Sequence, residues 1–133
     1  MSYRLLLADD DAAFREVVKE LCAPFFEVLE AETGDDAYGI ATLDRPDLAL
    51  CDFHMPGRTG LDALTAFKQL DVRRPAILMT SDPSLELARE VQLARIDSLL
   101  EKPFTRRQLL RTFATAVDSA FHDDGLMRRL LSS

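Results

Sequence analysis

The sequence predicts an α/β protein, a doubly wound parallel sheet of five strands with helices on both faces. Three observations lead there. Short apolar runs alternate five times with segments of helical periodicity. The apolar runs are nearly continuous, as strands buried on both faces require. The length, 133 residues, suits one domain, and the 47% hydrophobic content supplies one core.

Each element has its own signals. Tyr3 to Leu7 reads as a buried strand. Ala12 to about Ala23 reads as a helix with Phe14, Val17, Val18 and Leu21 on its inner face, stopped by Pro24. Phe26 to Ala31 sets Phe26, Val28 and Leu29 among acids and reads as a second strand. Thr33 to Leu43 is a helix capped by Thr33 or Gly34. Asp47 to Cys51, entered after Pro46, is the third strand. Thr59 caps a helix to about Leu70, and its spacing from Asp62 is that of a capping box. Ala76 to Met79, entered after Pro75, is the fourth strand. Asp82-Pro83 places a cap residue before a proline suited to the first helical position, and that helix runs to about Ala94. Ser98 to Leu100 is a short fifth strand. Thr105, with Gln108 as the other half of a capping box, opens a fifth helix whose inner stripe is Leu109, Phe113, Ala116, Val117 and Ala120. Right-handed crossovers restrict how these βαβ units can wind.

Composition narrows the function. Lys plus Arg is 16 against 23 Asp plus Glu, a net charge of −7. An acidic surface repels phosphate backbones, so direct nucleic-acid binding is not expected, whereas partners with basic patches suit it. Cys22 and Cys51 both fall on apolar patterns and read as buried free thiols, and no Cys-His spacing resembles a zinc site. The N-terminus lacks a signal-peptide pattern and no run approaches a membrane span, so a cytoplasmic location without membrane contact is expected.

In a doubly wound sheet, ligands bind beyond the carboxyl ends of the strands. Those ends carry Asp9-Asp10-Asp11, Asp52, Thr80-Ser81 and Lys102-Pro103. Each alone has a plain structural reading: a solvated turn and helix cap, a loop acid, a strand-end hydroxyl, an exposed lysine. Together, at the right strand ends in the right order, they describe a site. Clustered carboxylates repel unless something compensates them. A hard divalent cation such as Mg²⁺, with its preference for oxygen ligands and retained waters, does so. A lysine balances residual charge and a hydroxyl can bond a phosphate oxygen. This set matches phosphoryl transfer, in which catalysis is mostly positioning and charge neutralisation, to a carboxylate nucleophile.

These residues resemble the receiver domains of two-component response regulators, of the chemotaxis-regulator type. The likeness runs from Tyr3 to about Phe121. It rests on Leu5-Leu6-Leu7-Ala8-Asp9-Asp10-Asp11, on Pro46 to Gly57 around Asp52, and on Gly60-Leu61, Pro75 to Ser81 and Glu101-Lys102-Pro103-Phe104. The resemblance implies a flavodoxin-like sheet in the order 2-1-3-4-5 with five helices. It implies that Asp52 is the phosphoacceptor, that Asp10 ligates Mg²⁺ (Mn²⁺ as the alternative ion) directly, and that Asp9 holds metal-bound water. Asp52 itself and the backbone carbonyl of His54 complete the protein ligands. Thr80 corresponds to the switch hydroxyl and Lys102 to the charge partner, followed by a cis bond to Pro103. Asp11 has no required family role and reads as a helix cap. A sensor histidine kinase or phosphotransfer protein would donate the phosphoryl group. The surface of the fourth helix, fifth strand and fifth helix, including Leu99, Arg106, Arg107 and Arg111, would control an output protein or domain and could support a homodimer. Such a domain is not a turnover enzyme; it catalyses only its own phosphorylation and dephosphorylation.

Three residues depart from the family pattern. Leu99 stands where an aromatic ring usually couples to the hydroxyl, Arg95 where Gly is common, and Thr59 where Asp is common. His54 and Asp82 lie where the family lines the acceptor's entrance, either tuning the phosphoryl lifetime or simply solvated. Residues 1–121 are expected to form the receiver and 122–133 a short tail without an output domain, Leu126 to Leu131 being one amphipathic turn or a frayed end. The chain could be a stand-alone receiver or part of a longer one. Three rivals are weaker. A haloacid-dehalogenase-type phosphatase needs a second Asp where His54 stands. A docking module that is never phosphorylated leaves the acidic set without purpose. A flavodoxin-like cofactor carrier needs a glycine-rich phosphate loop where the three aspartates lie.

Overall fold

The computed structural model describes residues 2–133. Five strands, β1 (Tyr3–Ala8), β2 (Phe26–Ala31), β3 (Leu48–Asp52), β4 (Ala76–Thr80) and β5 (Ser98–Glu101), form one parallel sheet in the order β2-β1-β3-β4-β5. The helices are α1 (Ala12–Cys22), α2 (Gly34–Gly39), α3 (Gly60–Leu70), α4 (Leu85–Leu93), α5 (Arg106–Phe121) and α6 (Asp124–Leu131). A π-helical turn, Ile40–Asp44, continues α2.

The continuous apolar strands serve two cores. Leu5, Leu7, Leu48, Leu50, Ile77 and Met79 share one cluster with residues of α1, α5 and α6. Leu6, Ala8, Ala49, Cys51, Ala76 and Leu78 share the other with residues of α3 and α4 and with Ala37 of α2. Side chains alternate across a strand, so a run with no polar gap is what two covered faces demand. Cys22 and Cys51 are buried and free, and burial pushes both thiols up.

The caps follow the chemistry read from the sequence. Asp11 accepts from the Phe14 amide (3.1 Å) and Thr33 from Asp36 (3.0 Å). The capping boxes Thr59–Asp62 and Thr105–Gln108 are both complete. The structure revises the start of the fourth helix. Ser84, not Asp82, is the cap, its hydroxyl accepting from the Leu87 amide at 3.0 Å. The Asp82 amide is used elsewhere, donating to Thr80 Oγ1 at 3.1 Å, which keeps Asp82 and Pro83 in the loop above the sheet. The inner stripe of α1 is also revised. Val17 is 57% exposed, and the buried row is Val18 and Cys22, with Phe14 and Leu21 packed on the core beside them.

The sixth helix is the largest difference. Asp123 caps it, accepting from the Leu126 amide at 3.0 Å. Leu126 and Leu130 are buried in the cluster that also holds Leu110 and Ala114 of α5. The Tyr3 hydroxyl donates to Asp123 at 3.0 Å, the Tyr3 and Phe121 rings stack, and Arg129 donates to the Pro24 carbonyl at 2.8 Å. A segment this short gains its helicity from docking rather than from propensity.

Candidate functional site

All five strands point their carboxyl ends toward one edge of the molecule. β3 and β4 each run one residue further than the apolar pattern suggests, so Asp52 and Thr80 are the last residues of their strands. Their backbones are therefore held by the ladder, not by loops. Beyond β3, the Phe53 amide donates to the Met79 carbonyl at 2.8 Å, and the Gly60 amide to Phe53 at 3.2 Å. Gly60 opens α3 directly against the acceptor strand, and a Cβ there would overlap the Asp52 carbonyl. That close approach is why the position needs glycine.

The sequence-predicted acids meet. Carboxylate oxygens of Asp9, Asp10 and Asp52 all lie within 4.8 Å of one another. Asp9 is 1% exposed and Asp52 6%, whereas Asp10 is exposed. Asp9 Oδ1 accepts from the Asp11 amide at 2.9 Å, and its carbonyl accepts from the Arg15 guanidinium at 2.6 Å. Lys102 reaches in from beyond β5. Its Nζ lies 2.7 Å from Asp9 Oδ2 and 3.1 Å from Asp52 Oδ1. The Lys102 amide donates to the Thr80 carbonyl at 2.7 Å, and the bond to Pro103 is cis.

Electrostatics follow from this geometry. Burial, then repulsion from Asp9, holds the Asp52 carboxyl above the usual carboxylate range, and Lys102 offsets only part of this. Burial acts to lower the Lys102 ammonium, but its bond to Asp9 and the charge of Asp52 prevail and hold it above its ordinary value. Three carboxylates against one ammonium leave surplus negative charge. Their oxygen donors fit a hard divalent cation.

The remaining residues sort themselves. Thr80 is fully buried, with its hydroxyl beneath the Asp82 amide. His54 and Asp82 are exposed at the rim, and the His54 ring meets Phe53 edge-on rather than joining the acids. Leu99, paired with Leu78 across the sheet, packs against the core cluster on the α3 and α4 side. The sequence reading missed Phe14 as a site residue. Its ring lies 4.1 Å from Lys102 Nζ, and its place one turn after Asp10 at the start of α1 was the available signal.

The family model of the response regulator receiver domain matches residues 5–114. The chain is 31% identical over 111 residues to the chemotaxis protein CheY of Halobacterium salinarum, covering 83% of this chain and 92% of that protein. It is 37% identical over 109 residues to the transcriptional regulatory protein CpxR of Escherichia coli K12, covering 80% of this chain but 46% of that regulator, about half its length. A solved CheY-like response regulator receiver domain protein from Methanospirillum hungatei JF-1 superposes with a TM-score of 0.84 at 27% identity, over 89% of this chain and 95% of that one.

Proposed function

The chain belongs to the response regulator receiver domain family, and on that premise we propose that it is a phosphorelay switch whose acceptor is Asp52. The observation that carries this reading is the carboxylate cluster around a strand-end Asp52 with Lys102 against it. Asp52 offers a carboxylate oxygen that attacks the phosphorus of a phosphohistidine on a kinase or phosphotransfer protein. The new O–P bond forms as the P–N bond breaks, and the imidazole leaves. Asp10, Asp52 and the His54 backbone carbonyl would hold Mg²⁺, or Mn²⁺, with Asp9 fixing a metal-bound water. The cation would neutralise the carboxylates and the incoming phosphoryl charge.

The protein's own groups do the rest. Lys102, already poised between Asp9 and Asp52, balances the charge added to Asp52. Thr80 can turn its hydroxyl toward a phosphoryl oxygen, which releases the Asp82 amide it now satisfies. That exchange of hydrogen bonds is a two-state element that phosphorylation biases. Leu99 would follow by repacking rather than by swinging a ring. The output would be read on the face of α4, β5 and α5, where Arg106, Arg107 and Arg111 are exposed. The same face is our choice for a homodimer contact. The protein would act in the cytoplasm, with residues 1–121 as the receiver.

Incubation with Mg²⁺ and acetyl phosphate, followed by intact mass, tests the reading. The wild type is expected to gain one phosphoryl group, to lose that gain with chelator, and to show none as Asp52→Asn. No gain, together with failure to bind beryllofluoride, would leave a docking module in its place.

A further inference from the structure

The Lys102 ammonium has three sides. Two face carboxylates, Asp9 at 2.7 Å and Asp52 at 3.1 Å. The third faces the Phe14 ring, whose centroid is 4.1 Å from Nζ. The ring is itself braced: Phe104, two residues after Lys102, meets it edge-on with centroids 5.7 Å apart. Both rings are packed against the core cluster on the α1 and α5 side. The ring therefore stands where water would otherwise solvate the ammonium.

We propose that Phe14 is a positioning residue for phosphoryl transfer, holding Lys102 against Asp52 through the face of its ring. This rests on the reading of Asp52 as acceptor. An ammonium with an aromatic face on its third side keeps a favourable partner there without gaining a competing acceptor. A water in that place would hydrogen-bond Nζ and draw it away from the carboxylates. An aliphatic side chain would fill the space but offer the ammonium nothing, so only its two carboxylate contacts would hold it. The ring of Phe14 meets the Lys102 ammonium, so its effect should reach the transfer step through the lysine.

The test compares wild type, Phe14→Leu and Phe14→Trp in the full chain with Mg²⁺. The first readout is the rate of phosphorylation by acetyl phosphate, with the Mg²⁺ concentration for half-maximal rate measured separately. The second is the ring-current shift of the Lys102 ε-methylene protons in NMR spectra without donor. Phe14→Leu should slow transfer about five-fold, the size of a partly desolvated cation–π contact. It should not raise the half-maximal Mg²⁺ concentration, since an ammonium held less closely opposes the cation less, and it should move the Lys102 methylene resonances downfield. Phe14→Trp should restore both the rate and the upfield shift. The proposal is overturned if Phe14→Leu matches the wild-type rate, or if the rate falls but Phe14→Trp does not restore it. It is also overturned if the Lys102 resonances do not move. A wild type that takes up no phosphoryl group would instead remove the reading of Asp52 on which the proposal stands.

Discussion

Each end of the sheet holds a partly or fully buried lysine, and the two are wired in opposite ways. At the amino end, Lys68 of α3 is 4% exposed. Its Nζ donates to Asp97 Oδ2 and to the Arg74 carbonyl, both at 2.8 Å, and the same Asp97 oxygen accepts the Ala76 amide at 2.8 Å. One cation meets one carboxylate, and the neighbouring acids are likewise engaged. Asp47 accepts the Arg4 amide at 2.8 Å, and Asp71 pairs with Arg73. At the carboxyl end, Lys102 pairs with two carboxylates, Asp9 and Asp52, of a cluster that Asp10 makes three. Matched charge there would be more stable, but it would leave nothing for a cation or a phosphoryl group to do. Surplus charge, not burial, separates the end proposed to take the phosphoryl group from the structural one.

The largest effect should come from the matched end. Lys68→Met removes the ammonium, leaving Asp97 and the Arg74 carbonyl without it. We expect a loss of about 2 kcal/mol in urea denaturation, the size of a hydrogen bond to a charged group, because the Asp97 left behind is exposed and water can take the place of the ammonium. Phosphoryl uptake at low temperature should persist. If uptake disappears while the fold holds, the two ends are coupled and the contrast fails.

Acid should act on the two ends with opposite sign. Asp52 is held above its ordinary range in the folded protein. Between the unfolded and folded values the native state binds more protons, so stability falls as pH rises through that window. Asp52→Asn should therefore raise stability near neutrality in metal-free buffer by about 1 kcal/mol. The gain should shrink in mildly acidic buffer and with Mg²⁺. Asp123 is held below its range, first by the Leu126 amide and then by the Tyr3 hydroxyl. Its contribution is present above the unfolded value and lost as pH falls through the folded one. Asp123→Asn should lower stability near neutrality and lose less on acidification. Parallel pH profiles for the two variants would remove the distinction.

The smallest effect concerns Arg95, which follows α4 at φ +60°. Its amide and that of Ile96 bond back to the Gln92 and Val91 carbonyls at 3.1 and 3.0 Å. This is a left-handed helix end, where glycine avoids the Cβ penalty. Arg95→Gly should add about 0.7 kcal/mol by thermal denaturation and leave phosphorylation unchanged. A loss of stability would show that the arginine side chain makes good its backbone conformation.

Much of the site was legible because strand-end chemistry is local. Asp9, Asp52 and Thr80 each follow an apolar run directly, Asp10 and Lys102 lie one residue further on, and a parallel doubly wound sheet brings such ends together by necessity. Asp11, Thr33, Thr59 and Thr105 were legible as caps for the same reason, since each bonds an amide three residues on. The start of α4 was not. Asp82 and Ser84 are both good caps, and the choice depended on Thr80 engaging the Asp82 amide. Lys68 carries no local sign of its burial, because its partner Asp97 is 29 residues away.

By itself the sequence determined the alternation of five strands with their helices, and with it the edge where the acids must gather, because periodicity and turn chemistry act over a few residues. Tertiary structure alone decided that α6 docks through Leu126 and Leu130, that Lys68 is buried on Asp97, and that Phe14 stands over Lys102. Each of these depends on what space and charge distant segments leave unfilled, and no local pattern encodes that.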